Sequence, residues 1–419
     1  MKDVAIARTA GTGTSAVVER CQVCDQQPLD TVLFLGYLPP VNQMWPIGTV
    51  PREQSAYPAA LLVCPRCKLA QLGLVVDPKI LFPPEYPYSS GTTKILRENF
   101  AEMYREALPL LKLRADDLVI DIGSNDGTLL SNFKQGGHRV HGIEPTDMGK
   151  VAQSRGIDTT IAFIGPEVAK RVRKEQGPAR VVTATNVFAH IEHIHEVLDS
   201  IITLLDDRGV FISESHYLIS LLETLQYDTI YHEHLRYYSL TSLKYLFEMH
   251  GLEVFHARRI PTHGGSIRVY AARRGTHPVQ ASVAEMLAAE PKDESAFDAF
   301  KAGVVRSKLD LLRLLSEIKN RGQRIYGLGA PSRASTLVNY VGLDDGILDC
   351  VLEIKGSYKI GKYMPGTLIP VVEESRMFDD PPDYVLLLSW HIADELIPKL
   401  RARGYQGKFL VPLPEPRAV

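Results

Sequence analysis

No apolar run in the 419 residues approaches the roughly 20 needed to cross a bilayer, and the opening MKDVAIARTAGTGTSAVVER contains no signal-peptide core. Neither a membrane protein nor an exported one is expected, and the chain is placed in the cytoplasm. An excess of one charge is also missing: 47 Lys plus Arg face 49 Asp plus Glu, a formal net charge of -2. That removes the general electrostatic attraction toward nucleic acid or anionic lipid. What is present suits a globular protein. With 45% hydrophobic and 23% charged residues the chain can bury a large core, and at roughly 100 to 200 residues per domain it should hold two or three domains.

Cysteine is scarce, but its placement is not random. Of five cysteines, Cys21 and Cys24 form CQVC, Cys64 and Cys67 form CPRC, and Cys350 stands alone in ILDCVLEI. Each CxxC presents two thiolates from one tight turn, and two such knuckles supply the tetrahedral four-sulfur set that zinc favours. The 39 residues between Cys24 and Cys64 imply an insertion such as TVLFLGYLPPVNQMWP. A redox pair would need only one CxxC, and neither lies in a strand-to-helix context. Cys350 reads as a small buried residue in a strand.

Proline and glycine divide the remainder. DPKILFPPEYPYSSGTTKILRENF is rich in breakers and runs into an amphipathic helix near residues 93 to 112. The expected domains are therefore 1–90, a zinc-binding module with linker; 91–280; and 281–419, with a break around 275 to 295. In the middle domain LVIDIG, HRVHGIEP, RVVTATNVFA and GVFISESH alternate with helical stretches, followed by the helix TSLKYLFEMHG and the strands LEVFHARRI and GSIRVYAARR. Strands alternating with helices predict a parallel sheet with crossovers. In the last domain Phe297, Phe300, Val304, Leu311, Leu315 and Ile318 share one helical face, and RIYGLGA, DCVLEI, DYVLLLSW and GKFLVPL are expected strands of a second open α/β unit.

VIDIGSNDGTLL, residues 119 to 130, is the most specific stretch. It places Asp121 at a strand end, then Gly123, Asn125, Asp126 and Gly127 in a turn before a helix. The turn lacks the middle glycine of GxGxxG, so a dinucleotide is disfavoured. Glu144 closes the next strand, where it could bind both ribose hydroxyls of an adenosine, and Asn186 ends a third strand on the same edge. Three such signals in order point to S-adenosylmethionine.

Together, VIDIGSNDGTLL, GIEPT, NVFAHI, FISESHYL and YHEHLRYYSL resemble the class I methyltransferases that methylate carbon in nucleotide-linked deoxysugars. The resemblance covers nearly the whole chain, because that family also carries an N-terminal four-cysteine zinc domain, a linker like EYPYSSGT and a C-terminal α/β domain containing KYMPGT. It is nearest to enzymes acting at carbon 3 of TDP-4-keto sugars in antibiotic or surface-sugar pathways, with carbon 5 as the alternative. The resemblance implies a class I Rossmann-like methyltransferase domain between a zinc-binding domain and a C-terminal Rossmann-like domain. It further implies that the nucleotide sugar lies between the last two domains. GLGAPSRASTLVNY departs from the family, whose members more often carry a GN pair near Ala334 and Ser335.

The chemistry explains YHEHLRYYSL. Making a carbon nucleophile beside a ketone needs a base and donors that hold the enolate oxygen. In a helix Tyr227, Tyr231, His234 and Tyr238 would share one face. From resemblance and chemistry together, His234 is the expected base, Tyr231 lies near the keto oxygen, Glu233 orients the sugar, and His190 is a second polar contact or alternate base. The residues alone leave these roles open to permutation. Tyr86 and Tyr88, with Ser90 nearby, are expected to fold over the cofactor, or to staple two domains. His263, Gly264 and Ser266 in THGGSIRVY suit close approach to substrate or simply a turn. Ser332 and Arg333 at a strand-to-helix turn could receive a diphosphate, or belong to an ordinary turn. A second metal site on His232, His234, His193 and His195 is disfavoured because HEH lacks an i, i+4 pair. A methyltransferase acting on oxygen or nitrogen and a noncatalytic zinc-ribbon scaffold remain as other classes. A monomer is expected.

Overall fold

The computed structural model describes residues 15–81 and 94–419. In the N-terminal part β1 (Asp30–Leu38), β2 (Tyr57–Val63) and β3 (Ala70–Leu72) form an antiparallel sheet. β2 alternates buried and half-buried residues along YPAALLV, the period-2 pattern of a strand with one face in a core. The two CxxC turns flank this sheet and bring all four thiols together. A fourth strand comes from far along the chain: Arg236–Tyr237 pairs with β3, Arg236 opposite Gln71 and Tyr237 opposite Ala70.

The middle part opens with α1 (Lys94–Leu111), which buries Leu96, Asn99, Phe100, Met103, Ala107 and Leu111 at helical spacing. Five strands follow before the Arg236–Tyr237 pair: β4 (Leu118–Ile122), β5 (Arg139–Ile143), β6 (Thr159–Thr160), β7 (Ala179–Thr185) and β8 (Leu205–His216) precede it, with Arg236–Tyr237 itself as β9; β10 (Leu252–Ile260) and β11 (Ser266–Arg273) come after. The central sheet runs β10-β11-β8-β7-β4-β5-β6. Strands β8, β7, β4, β5 and β6 are parallel, and β11 and β10 continue the sheet antiparallel. All five residues of β4 are buried, as a central parallel strand requires.

A buried charge network fixes α1 across this sheet. Arg268 and Glu214 are both fully buried and pair at 3.0 Å; Arg268 also reaches Glu106 at 2.6 Å, and Asn99 donates to Glu214 at 2.6 Å. The expected break at 275 to 295 is instead structured. Ala281–Ala289 forms a helix that packs on β10 through Val283, because Gln280 N–H donates to the Phe255 carbonyl. The buried Glu290 then accepts from the Tyr217 hydroxyl and from the Leu240 and Thr241 N–H groups at the start of the helix Leu240–Met249.

Next comes the 26-residue helix Ser295–Asn320, which buries Phe300, Val304, Leu311, Leu315 and Ile318 as the periodicity predicts. It leads into a second sheet of β12 (Ile325–Leu328), β13 (Cys350–Glu353), β14 (Val371–Glu373), β15 (Tyr384–Leu387), β16 (Lys408–Val411) and β17 (Arg417–Ala418). Its order is β14-β13-β12-β15-β16-β17, parallel except for β17. The helix α2 (Ser332–Val341) follows the turn after β12. Cys350 is fully buried in β13, in the role expected of it.

Candidate active site

The four cysteine sulfurs lie within 4.8 Å of one another, all in buried residues, with Cys21 to Cys67 and Cys24 to Cys64 both at 3.4 Å. Zinc with Zn–S bonds of ~2.3 Å needs tetrahedral sulfur separations of about 3.8 Å, which this cluster meets with little movement. N–H groups of Val23 and Cys24 point at the Cys21 sulfur, and that of Cys67 at the Cys64 sulfur. The hydrogen-bonding sulfurs of Cys21 and Cys64, with burial, push the Cys67 thiol upward. A divalent cation is what lets such a crowded set ionise together. The donors fit a structural zinc ion.

Asp121, Glu144 and Asn186 meet at the carboxyl edge of the central sheet, where β4, β5 and β7 end. Asp121 is buried and accepts from the Thr183 hydroxyl at 2.6 Å. Burial, and then the charges of Glu144 and Glu214, raise its carboxyl to about 7. Glu144 accepts Asn125 N–H at 3.0 Å on one oxygen, and Thr146 N–H and O–H at 2.9 and 2.6 Å on the other. A carboxylate has about four acceptor positions, so one position remains beside these three. Binding both ribose hydroxyls, as expected of Glu144, would need two such positions, so a loop bond would have to yield. The Asn186 side-chain oxygen is buried with no partner, while its N–H donates to the Glu214 carbonyl at 2.7 Å. An orphan acceptor beside a buried carboxylate fits the cationic end of S-adenosylmethionine.

Two residues of the GSNDG turn have roles other than ligand approach. Gly123 adopts φ +68°, and a Cβ there would meet Val187 at 2.4 Å, so the glycine serves the chain's own packing. Asp126 accepts from Thr128 N–H and O–H and pairs with Arg155 at 3.0 Å, fixing the turn. Tyr86, Tyr88 and Ser90 lie outside the described residues.

YHEHLRYYSL is not the helix that would align Tyr227, Tyr231, His234 and Tyr238. Tyr227–Thr229 is one 3-10 turn, His234 N–H donates to Tyr231 O, and Arg236–Tyr237 is β9. Tyr227 instead packs edge-on to Tyr340, and Tyr238 packs on Phe188. The expected pair still forms, with Tyr231 and His234 ring centroids 4.3 Å apart. Nδ1 of His234 donates to the Thr229 carbonyl at 2.9 Å, which places the ring proton on Nδ1 and the lone pair on Nε2. His190 Nδ1 donates to the Glu233 carbonyl at 2.5 Å, and its ring lies 4.9 Å from that of His234.

The cluster also contains residues without a motif of their own in the sequence. His216 ends β8 on the same sheet edge as Asp121, and its ring lies between those of His234 at 5.2 Å and His263 at 5.4 Å. His391, in the turn Trp390–Ile392, approaches His263 from the C-terminal part. Burial is the leading cause that lowers every one of these rings: His234 and His391 to about 3, His263 to about 4, His216 well below the ordinary value, and His190 downward. All are neutral at neutral pH. Asn42, from the insertion between the cysteine knuckles, donates to the Glu233 carboxylate at 2.7 Å and accepts from the Tyr358 hydroxyl at 3.1 Å. Three parts of the chain thus meet at Glu233. The place of His216 in FISESHYL, at a strand end on the same sheet edge as the other candidate positions, is a legible signal; Asn42 has none.

Around this cluster the remaining expectations divide. His263 faces His216, and its Nε2 is buried without a partner. Gly264 (φ +87°) exists to admit Gln226, whose side-chain oxygen would lie 2.6 Å from a Cβ there. Ser266 is fully buried and spends its hydroxyl on Thr262 O at 3.0 Å, so it does not face substrate. In the turn before α2 several N–H groups are already engaged within the chain. Gly329 N–H goes to Leu352 O, Ala330 N–H to Glu353, Ala334 N–H to Pro331 O, and Pro331 has none. Arg333 is held by Asp228 through two 2.8 Å bonds, leaving Ser332 as the remaining side chain there. The histidines raised as a second metal set disperse: His232 Nε2 meets Pro58 O at 3.2 Å, and His195 bonds Val23 O and His250. Among the described residues only the four cysteines group as metal ligands.

Comparison with known proteins matches three consecutive stretches to family models: a zinc-binding domain over 21–82, a methyltransferase domain over 95–257 and a C-methyltransferase C-terminal domain over 261–414. The C-methyltransferase NovU of Streptomyces niveus is 34% identical over 409 residues, spanning 96% of this chain and 97% of that protein. Among solved structures, the PH0226 protein of Pyrococcus horikoshii OT3 aligns at 15% identity over 48% of this chain and 97% of that chain, with TM-score 0.37. Magnesium protoporphyrin IX methyltransferase from Synechocystis, solved with bound S-adenosylmethionine, aligns at 15% identity over 43% and 82%, with TM-score 0.33.

Proposed function

The chain belongs to the C-methyltransferase family and uses S-adenosylmethionine; from that premise we propose that its acceptor is a nucleotide-linked 4-keto-deoxysugar, of the TDP type, methylated at carbon 3. The observation that carries this reading is the tautomer of His234. Its Nδ1 is fixed as donor to Thr229 O, so Nε2 is the proton acceptor in a buried cluster of neutral rings. An O- or N-methyltransferase has less need of such a base, because its nucleophile already carries a lone pair.

In this reading His234 Nε2 removes the hydrogen on the carbon beside the ketone. The Tyr231 hydroxyl donates to the oxygen as it gains negative charge, the electrostatic role that usually dominates such steps. Glu233, held by Asn42, hydrogen-bonds the sugar and offsets the positive charge that His234 acquires. His190 braces the segment through the Glu233 carbonyl. When bound, S-adenosylmethionine supplies an electrophilic methyl group on a sulfonium. Asp121 and Asn186 are assigned to its cationic end and Glu144 to its ribose. The proposed division is a zinc module, a cofactor domain and a C-terminal domain that closes over the sugar, with His263 and Ser332 on the substrate side. Burial of the histidines excludes bulk water from the base.

The test is hydrogen exchange in deuterium oxide with TDP-4-keto-2,6-dideoxyglucose and S-adenosylhomocysteine. Wild-type uptake at carbon 3 that disappears in His234→Asn supports both the substrate class and the base. Uptake that persists in the variant moves the base to His190 or Tyr231. No uptake above the enzyme-free rate removes the keto-sugar reading.

A further inference from the structure

The base sits in the middle part of the chain, but what fixes it comes from the C-terminal part. Asp228 is fully buried, and Arg333, at the second position of α2, grips it with Nε and one terminal nitrogen, each at 2.8 Å. Trp390 donates its indole N–H to the same carboxylate at 2.7 Å, and the Arg333 guanidinium lies 4.8 Å from the Trp390 ring. A paired, bidentate charge of this kind has one low-energy geometry, because either ion left alone in the interior is strongly disfavoured. Asp228 is followed directly by Thr229. The Thr229 carbonyl receives two donors, His234 Nδ1–H at 2.9 Å and the Tyr237 hydroxyl at 3.1 Å. Gln226 extends the grip: its oxygen accepts from Arg333 at 3.4 Å, and its nitrogen donates to Gly264 O at 2.6 Å, beside His263.

We propose that Arg333, Asp228 and Trp390 form a positioning latch that holds the Thr229 carbonyl where it fixes the tautomer and angle of the His234 ring. Arg333, which the sequence suggests as a phosphate ligand, is thereby a positioning residue for the reaction. Nδ1–H is the less common tautomer of a free imidazole, so it persists only where an acceptor is held at Nδ1. If the 3-10 turn loosens, the ring can rotate or carry its proton on Nε2, where it blocks proton abstraction. The same guanidinium lies close enough to disfavour a proton on His234, His216, His263 and His391, consistent with a latch beneath the whole cluster. The inference rests on His234 as the base, but its structural half is tested without substrate.

The experiment uses full-length, zinc-loaded protein with 15N-labelled histidine at pH 7.5, His234 being identified by the signals lost in His234→Gln. Wild type is expected to show Nδ1–H and a bare Nε2. Arg333→Lys keeps the charge but cannot present the fork. It is expected to show Nε2–H at His234 and a kcat for the keto sugar about 10- to 100-fold lower, a share of what a positioned base contributes. KM and S-adenosylhomocysteine affinity stay within about twofold of wild type, since the cofactor edge is untouched. Trp390→Phe removes one donor only and is expected to move the tautomer the same way with a smaller loss; it carries the test if Arg333→Lys does not fold. An unchanged His234 tautomer in the folded variants overturns the latch, whether or not activity falls. If wild type exchanges no hydrogen on any keto sugar, the substrate reading fails while the tautomer result still stands.

Discussion

Thr229 offers no chemistry of its own, yet its carbonyl decides which nitrogen of His234 can take a proton. Asn42 acts in the same way on Glu233 from the other side. Asn42→Ala is expected to lower kcat/KM about tenfold with zinc content unchanged, because it removes one hydrogen bond to a charged group worth ~1.5 kcal/mol; steady-state kinetics beside metal analysis would check it. Asp121 gives a pH prediction. Its carboxyl, raised to about 7, must ionise to attract a cationic ligand. S-adenosylmethionine affinity should therefore rise as pH increases through about 7 and then level off. In Asp121→Asn calorimetry should show weaker binding with that pH dependence gone. The sequence marked His234, Tyr231 and Glu233 as candidates through resemblance and chemistry together, and Asp121 through its place at a strand end. It could not reveal Asn42 or Asp228. Their partners lie 191 and 105 residues away along the chain.

Among elements, β9 has the most consequence for its length. Two residues, Arg236–Tyr237, extend the zinc-side sheet by pairing with β3, and Leu72 N–H donates to Leu235 O while Leu235 N–H donates to Ala189 O. The segment that carries His234 is thus tied between the zinc-side sheet and the loop that carries His190. Arg236, almost wholly buried, binds the Ile191 and Glu192 carbonyls of that loop. Purified protein is expected to hold one zinc per chain. Cys21→Ser should lose it and lose methyl transfer in parallel, with hydrogen exchange of the Leu235–Tyr237 amides rising before that of β4. A scaffold unconnected to the site would leave those amides protected. The spacing of YHEHLRYYSL is compatible with a helix. The turn and strand form instead because three different neighbours claim its backbone groups, and a two-residue strand leaves no periodic trace.

Across the whole molecule, the buried histidines have a collective cost in acid. In the unfolded chain they protonate near 6.5, whereas His232 and His263 titrate at about 4 and His234 and His391 at about 3 in the fold, with His190 and His216 also lowered. Between those values the unfolded state binds more protons, so stability is fully present above 6.5 and is lost as pH falls toward 3. Each ring contributes a slope of up to ~1.4 kcal/mol per pH unit in that window. Unfolding at pH 5 should take up about four protons from His232, His234, His263 and His391 alone; denaturant titrations from pH 8 to pH 5 would measure it. A midpoint that stays constant over that range would mean the rings are hydrated.

The sequence by itself determined the elements and the chemistry available to them: the four zinc ligands, the alternating strands and helices, the acids at the strand ends and the histidine-tyrosine run. Local signals suffice there, because a CxxC turn, an apolar strand or an amphipathic helix is specified within a few residues. The tertiary structure alone decided who faces whom. It turned Arg333 from a phosphate ligand into the partner of Asp228, joined β9 to the zinc-side sheet, filled the expected break with a helix and brought His216, His391 and Asn42 to the site. Those outcomes follow from burial: once a charge or a backbone N–H leaves water it must find a partner, and that partner can come from any distance along the chain.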